Sequence, residues 1–308
     1  MDVRKHYSAA VAAFLIWGFF PLVLRTVNTH AAGEILYFRI LFALLILAVV
    51  LFGFMRGKIK ENVARLKSMS RPDARSVVAL TLAGGVLLTV NWLVFIYVVN
   101  EVNIKTASFS YLICPVMTAV LGYILLKEKM SPIQWAAIAL CAVSCAVMGI
   151  NNISELGYSL LIAFTYALYL ISQRKNQGFN RMIILGVQVL VAFLIMNLFF
   201  VQLVGEVIVD RNFYVITFAI AAIFTVLPLF LNLFALNKIN AATIGILMYL
   251  NPLINFTTAF LIINEGASGI QIFGYGIIAV ALVLFNYPIL KKIAAKQISV
   301  SEPAAQRT

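Results

Sequence analysis

The chain has 308 residues, of which 63% are hydrophobic and only 11% are charged, with a formal net charge of +12. A soluble domain carries about 45–50% apolar and about 25% charged residues, so no globular core would bury this excess and apolar surface must face lipid. The basic residues lie between apolar runs rather than on one polar domain, which excludes a nucleic-acid-binding surface. The sequence therefore predicts an integral membrane protein.

Ten apolar segments are long enough to cross a bilayer, which requires about 20 residues per helix. They are 7–27, 34–55, 77–99, 105–126, 132–150, 156–173, 182–204, 213–236, 241–263 and 268–288. The weakest is 156–173, which is short and contains three tyrosines. The predicted fold is an all-α integral membrane bundle of ten transmembrane helices.

The distribution of Lys and Arg predicts the orientation. With the N-terminus in the cytoplasm, 19 of the 23 basic residues lie in cytoplasmic segments. Only Arg25, Lys105 and Arg211 lie on the opposite side, and Arg39 lies within a span. This positive-inside asymmetry predicts a multi-pass protein of the cytoplasmic (inner) membrane with both termini in the cytoplasm.

The only long polar segment, 56–75, carries apolar residues at helical spacing among basic ones. These residues are Ile59, Val63, Leu66 and Met69. The pattern predicts a short interfacial helix on anionic lipid headgroups. The alternative is a basic loop that only sets the orientation of the chain.

The sequence contains an internal repeat. A shift of 137 positions superimposes the segment around Pro115 on the segment around Pro252 without a gap, and Glu128 then coincides with Glu265. Five spans separate the copies, so the second copy crosses the membrane in the opposite direction, and such inverted repeats place a substrate site near the bilayer midplane. The predicted domains are a first five-helix repeat over 1–150, a second, inverted five-helix repeat over 151–290 and a disordered cytoplasmic tail over 291–308.

Polar side chains inside apolar helices need a partner, so they mark candidate site residues. The candidate substrate-binding residues are Trp17, Arg39, Asn91, Trp92, Ser108, Tyr111, Thr118, Tyr166, Asn232, Tyr249, Asn251 and Asn255. Ser108, Tyr111 and Thr118 share a face of the fourth predicted helix with Pro115. Pro115 and Pro252 are predicted hinges of a kinked helix pair lining the cavity. The alternative is close packing through small residues, with prolines that only bend the helices.

Individual roles stay open for several of these residues. Asn91 would either contact a ligand or join two helices by a hydrogen bond. Trp17 lies about ten residues from either end of its span, too deep for an interfacial aromatic belt, and is predicted to face the cavity. Tyr249 and Asn251 flank the second proline and would reach either the cavity or a neighbouring helix.

Arg39 is the only charge clearly inside a predicted span. It lies roughly 8 Å below the outer end of its helix, at about 1.5 Å per residue. An arginine can extend over that distance to the surface, near Glu34. The alternative is an inward arginine that fixes the helix or attracts an anionic group of a substrate.

Several kinds of site are not indicated. His and Cys residues show no metal-ligand spacing, and Cys114, Cys141 and Cys145 lie in apolar runs, where small packing residues are expected. No Asp or Glu lies in the middle third of any span, so proton exchange through a midplane carboxylate is not predicted. Without paired carboxylates or a phosphate loop, the sequence predicts no catalytic residue, metal, cofactor or enzymatic activity.

A family resemblance rests on four segments of the first half. They read FLIWGFFPLVLRTV (14–27), GEILYFRILF (33–42), NWLVFIYVVN (91–100) and ASFSYLICPVMTAVLGYILLKE (107–128). Over roughly residues 7–290 the chain resembles the drug/metabolite transporter (DMT) superfamily, most of all its EamA-type, RarD-like branch. The resemblance implies ten helices in two five-helix repeats, a central cavity open alternately to each side, and secondary transport of small metabolites or drugs, usually export.

The predicted function is therefore a secondary transporter, an exporter of small neutral or aromatic metabolites or drugs. An uncharged aromatic cavity disfavours multiply charged cargo, which would be desolvated and unpaired. Two alternatives stay open: a flippase of lipid-linked groups, and a non-transporting membrane sensor or assembly subunit. The predicted partners are the small-molecule substrate and anionic lipids at 56–75, and a homodimer is left open.

Overall fold

The computed structural model describes residues 3–27, 29–102, 104–149, 156–205, 208–261 and 268–301. In these ranges every regular element is helical and there is no β-strand. The helices are α1 (Val3–Leu24), α2 (Ala32–Val49), α3 (Arg56–Ser68), α4 (Arg71–Glu101), α5 (Ile104–Leu126), α6 (Pro132–Gly149), α7 (Leu156–Lys175), α8 (Arg181–Asn197), α9 (Phe200–Leu203), α10 (Arg211–Ala219), α11 (Leu227–Ala235), α12 (Ala241–Leu247), α13 (Leu250–Leu261) and α14 (Gly269–Ser301). A 3-10 turn follows α1 (Arg25–Val27), and π-helical turns extend α2 (Val50–Phe54) and join α10 to α11 (Ile220–Val226).

Seven of the described helical segments are long and apolar enough to cross a membrane. They are α1, α2 with its π-helical turn, most of α4, most of α5, α7, the α10–α11 unit and the first part of α14. α6 and α8 are apolar but shorter, and the 241–261 segment is interrupted at Met248–Tyr249. The prediction of an all-helical membrane protein is confirmed, whereas the count of ten crossings stays a prediction.

The two prolines related by the repeat have different local structures. α5 continues through Pro115 as one helix, although this proline removes the donor that would bond to the Tyr111 carbonyl. Pro252 lies beside the interruption between α12 and α13, and the Met248 carbonyl accepts instead from the Asn251 N–H at 3.0 Å. The predicted pair is therefore one proline inside a continuous helix and one at a helix break.

The helix predicted within 56–75 is confirmed as α3, which has no buried residue. α3 contacts the α7–α8 loop, because the Asn180 N–H donates to Asn62 Oδ1 at 2.9 Å and the Arg65 guanidinium lies 5.4 Å from the Phe179 ring centroid. Its contact with anionic lipid stays a prediction.

The C-terminal segment differs from the disordered tail predicted over 291–308. α14 is helical as far as Ser301, and residues 302–308 lie outside the described part of the chain. The segment after Pro288 is rich in Ile, Leu, Lys and Ala, and of these Ala, Leu and Lys are strong helix formers, which allows the helix to continue.

Helices of the two predicted halves pack in matched pairs. The predicted repeat would relate α1 to α7, α2 to α8, α4 to the α10–α11 unit, α5 to α12–α13 and α6 to α14. α5 packs on α7 and α13 on α1, while α4 packs on α7 and α8 and the α10–α11 unit packs on α1 and α2. Three further contacts join helices that the repeat would relate to each other: α2 with α8, α5 with α12 and α6 with α14. Each of these contacts has a counterpart, or maps onto itself, when related helices are exchanged.

Loops predicted to share a side of the membrane meet at the same end of the bundle. At one end, Glu128 after α5 contacts the start of α12, and Arg174 donates to the Leu236 carbonyl. At the opposite end, His30 lies 3.6 Å from Asp210. We call the first the Glu128 end; its assignment to the cytoplasm stays a prediction.

Gly245 of α12 permits a close approach to α5. A Cβ on Gly245 would lie 2.8 Å from the Thr118 Cβ and 3.2 Å from the Pro115 carbonyl oxygen. We expect Gly245→Ala to force the two helices apart and to lower the free energy of unfolding by about 1–3 kcal/mol. The matched control is Gly276→Ala, because no atom lies within 4 Å of a Cβ there. Thermal unfolding in detergent measures both variants, and equal melting temperatures would contradict the close approach.

Candidate functional site

Arg39 of α2 lies between aromatic rings of two neighbouring helices. Its guanidinium carbon is 5.5 Å from the Trp92 ring centroid on α4 and 5.7 Å from the Phe20 ring centroid on α1. Glu34, the surface partner that the sequence left open, accepts instead from the Ala31 N–H at 3.1 Å. The structure thus places the Arg39 guanidinium among α1, α2 and α4, away from Glu34.

Aromatic side chains of α4, α5 and α7 lie next to Arg39 and to one another. Tyr111 is close enough to Arg39 and Tyr166 to interact electrostatically, and its ring centroid is 5.6 Å from that of Phe95. Tyr111 is nevertheless 37% exposed, so part of its side chain is not covered by other residues. Asn232 of α11 donates to the Tyr166 hydroxyl at 3.4 Å. We call the following residues the central cluster: Phe20, Arg39, Trp92, Phe95, Tyr111, Tyr166 and Asn232.

Five asparagines have buried carbonyl oxygens without a hydrogen-bond donor among the described residues. Three of these Oδ1 atoms lie on helices of one region, Asn232 on α11 and Asn251 and Asn255 on α13, and the other two belong to Asn176 and Asn286. α13 packs closely on α1, since a Cβ on Gly18 would lie 2.7 Å from Ile254 Cδ1. An unpaired buried oxygen is unfavourable by about 1–3 kcal/mol, so each is an acceptor that a bound molecule can satisfy.

Trp17 has a structural hydrogen bond that the sequence did not reveal. Its indole N–H donates to the Phe224 carbonyl at 2.9 Å. The usual helical donor to that carbonyl would be the N–H of residue 228, which is a proline and has none. The Trp17 N–H is therefore engaged within the protein, and only the ring remains for contacts with a ligand.

Asn91 and Thr118 lie in helix–helix contacts. Asn91 is 5% exposed and donates to the Ile162 carbonyl at 2.8 Å and to Thr165 Oγ1 at 3.2 Å, which joins α4 to α7. Thr118 is fully buried against α12 and donates to the Cys114 carbonyl at 2.8 Å. The side chain of Ser108 lies outside the described residues.

Tyr249 joins the two predicted halves beside Pro115. It is fully buried, and its hydroxyl donates to the Leu112 carbonyl at 2.7 Å. The Cys145 thiol donates to the same carbonyl at 3.0 Å. Tyr249 therefore lies in the contact between α5 and α12, apart from the central cluster.

The carboxylate of Glu128 joins the end of α5 to the start of α12. Glu128 accepts from the Ala241 N–H at 2.7 Å and from the Ala242 N–H at 3.0 Å, so it caps the N-terminus of α12 from the other half. Its side chain is 8% exposed, and Arg174 Nε lies 3.8 Å from Oε1. Gly122 leaves room for it, because a Cβ there would lie 2.8 Å from Glu128 Oε2. We call this arrangement the Glu128 contact.

Two further side chains hold the loop before α12. Gln177 Nε2 donates to the Leu236 carbonyl at 3.2 Å, beside the Arg174 bond to the same oxygen, and Arg181 Nε donates to Asn237 Oδ1 at 2.7 Å. Sequence reasoning used Arg174 and Arg181 only as orientation signals and missed this role. It also missed Phe20, which lies three residues after Trp17 on the same side of α1.

The described residues contain no group of three or more His, Cys, Asp or Glu side chains that could hold a metal ion. Cys114, Cys141 and Cys145 are free and buried. Their burial agrees with the packing role expected of them.

These features define a multi-pass membrane protein with an aromatic and polar interior. The family model described as the EamA-like transporter family matches the sequence twice, over residues 4–150 and 154–287. The chain therefore belongs to the EamA-like transporter family. Its similarity to RarD proteins confirms the resemblance to the RarD-like branch of the drug/metabolite transporter superfamily.

Similar proteins match along nearly their whole length. The uncharacterized transporter YojE of Bacillus subtilis is 27% identical over 94% of this chain and 96% of its own. The uncharacterized transporter PA0485 of Pseudomonas aeruginosa is 26% identical, over 93% and 94%. Protein RarD of Escherichia coli is 26% identical, over 92% and 94%. A solved crystal structure covers 91% of this chain with a TM-score of 0.69 at 11% identity, which supports the fold alone.

Removing the Trp17 donor should destabilise the protein. We expect Trp17→Phe to leave the Phe224 carbonyl unpaired and to lower the free energy of unfolding by about 1–3 kcal/mol. The matched control is Trp135→Phe, because Trp135 is 37% exposed and its indole makes no hydrogen bond within the described chain. Pro228→Ala restores a backbone N–H, so in that background Trp17→Phe should be less destabilising. Thermal unfolding of the parent chain, the three single variants and the double variant checks this, and an equal loss in both backgrounds would contradict the assignment.

Proposed function

We propose that the chain is a secondary transporter that exports small molecules with an aromatic or other apolar body. The substrate binds at the central cluster and crosses by alternating access between two inverted repeats. The observation that carries this proposal is the combination of a partly uncovered aromatic ring, Tyr111, with nearby buried polar atoms that lack partners, Arg39 Nε and Asn232 Oδ1. Such a site is mostly apolar with a few convergent polar groups, as small-molecule sites are.

Three observations support the inverted repeats. The family model matches each predicted half separately, and the helices pack in matched pairs. The related helices α5 and α12–α13 also run antiparallel where they touch. Gly122 lies near Ala242, Thr118 near Gly245, and Leu112 bonds to Tyr249. An inverted copy has this arrangement, and it would make α6, α8 and α12–α13 the remaining three crossings.

We further propose that the Glu128 contact is the closed gate on the cytoplasmic side of the inner membrane. The segments that meet there are 56–75, 127–131, 174–181 and 236–240, and they carry most of the basic residues. This distribution supports a cytoplasmic location for this end of the bundle and for both termini. Export requires the substrate to enter from that side, so the contact between Glu128 and α12 has to open in each cycle.

Flux measurements in proteoliposomes test the proposal. The purified chain is reconstituted, and the uptake of a panel of labelled aromatic metabolites and drugs is compared with that of empty liposomes. We expect at least one compound to be carried, and Tyr111→Ala to reduce its initial rate about tenfold or more by removing a ring of the central cluster. Uptake no faster than in empty liposomes across the panel would contradict the transport function.

The matched control is Tyr123→Ala on the same helix. Tyr123 is 48% exposed and its ring contacts Trp135, outside the central cluster. We expect normal flux for this variant. Equal loss of flux in both variants would contradict the assignment of the site, because it would show a general requirement for tyrosine in α5.

A further inference from the structure

We infer that the transported molecule carries one carboxylate, which pairs with Arg39, attached to an aromatic or other apolar body. This inference rests on the proposed transport function and names its substrate class. It replaces the neutral cargo that the sequence favoured, since that expectation assumed an uncharged cavity.

The Arg39 charge has no counter-ion in the described structure. A guanidinium stays protonated in proteins, and a cation inside a membrane protein normally pairs with an acidic group. The six acidic residues that the structure describes all lie elsewhere, in caps, loops or exposed helices: Glu34, Glu61, Asp73, Glu101, Glu128 and Asp210. A positive charge is therefore left in the interior for a bound anion.

The Nε donor of Arg39 is also unused. Its Nε is buried and has no acceptor among the described residues. The contacts with Phe20 and Trp92 are cation–π contacts, which use the charge of the guanidinium but not its N–H groups. A planar carboxylate matches the fork of N–H donors and can accept two parallel hydrogen bonds.

The neighbours of Arg39 limit the negative charge that a ligand can carry. Arg39 is the only Lys or Arg in the central cluster, so a second negative charge on the ligand would be left desolvated and unpaired. Tyr111 lies beside Arg39, its ring packs against Phe95, and it keeps 37% of its surface exposed. One carboxylate at Arg39 with an apolar ring against these side chains satisfies both the charge and the apolar surface.

Binding of two isosteric probes tests the inference. Indole-3-acetate and indole-3-acetamide have the same shape and differ in charge, and calorimetry measures their dissociation constants on the full chain in lipid nanodiscs at neutral pH. We expect the carboxylate to bind about 10- to 100-fold more tightly than the amide, as a charge-assisted hydrogen-bond pair allows. In Arg39→Gln this ratio should fall close to one.

Arg71→Gln is the matched control, because it makes the same change at an exposed position at the start of α4. The ratio of the two dissociation constants in this variant should equal that of the unaltered protein. Arg39→Lys keeps the charge but loses the fork, so its ratio should be intermediate. If Arg39→Gln does not fold, Arg39→Lys tests the inference by itself. A ratio that is unchanged in Arg39→Lys would overturn the inference.

Equal binding of the two probes, or a ratio that Arg39→Gln does not change, overturns the inference but leaves the transport function standing. Failure of both probes to bind also overturns the inference. The proposed function is judged separately by the flux panel, which contains uncharged compounds and does not depend on Arg39.

Discussion

The structure depends on the requirement that every backbone polar group in an apolar bilayer finds a partner. Prolines interrupt the helical hydrogen bonding of this chain, and helix starts leave further N–H groups free. Side chains from the opposite half satisfy two of these sites: Trp17 bonds to the Phe224 carbonyl and Glu128 to the start of α12. Tyr249 adds a bond to the Leu112 carbonyl beside Pro115. The same bonds that complete the helices therefore hold the two halves together.

These bonds differ in how easily they can be broken. The Trp17 and Tyr249 bonds lie among buried helices, where separation would leave a buried polar group unpaired at about 1–3 kcal/mol each. The Glu128 contact lies at the end of the bundle, where water can replace both partners when they separate. A movement that keeps the inner bonds and opens the Glu128 contact is thus favoured over one that breaks all three. This difference is the physical basis of the alternating access proposed above.

The sequence predicted the class of fold, the family and the helical segments, because hydropathy and motif spacing are local properties. It did not predict where Trp17 and Tyr249 point, since each bonds to a residue more than a hundred positions away. The sequence around Pro115 and that around Pro252 are similar, yet α5 is continuous while a helix break occurs at Met248, just before Pro252. Only tertiary contacts distinguish the two. Arg39 was left open because a surface-reaching and an inward arginine have the same local sequence. Glu128 was recognised only as a helix-end charge, because its partner, the start of α12, is distant in the chain.

The central claim is that the Glu128 contact closes the cytoplasmic side. Its most direct test is the rate at which a membrane-impermeant maleimide, applied from that side, labels Cys114 in a chain with Cys141 and Cys145 replaced by alanine. Cys114 is 2% exposed and lies one turn before Thr118, near Tyr111 and Tyr166 of the central cluster. We predict that Glu128→Gln raises the rate about tenfold, as expected for loss of one charge-assisted bond, while Lys129→Gln leaves it unchanged. The same slow rate in Glu128→Gln and in the parent chain would contradict the account.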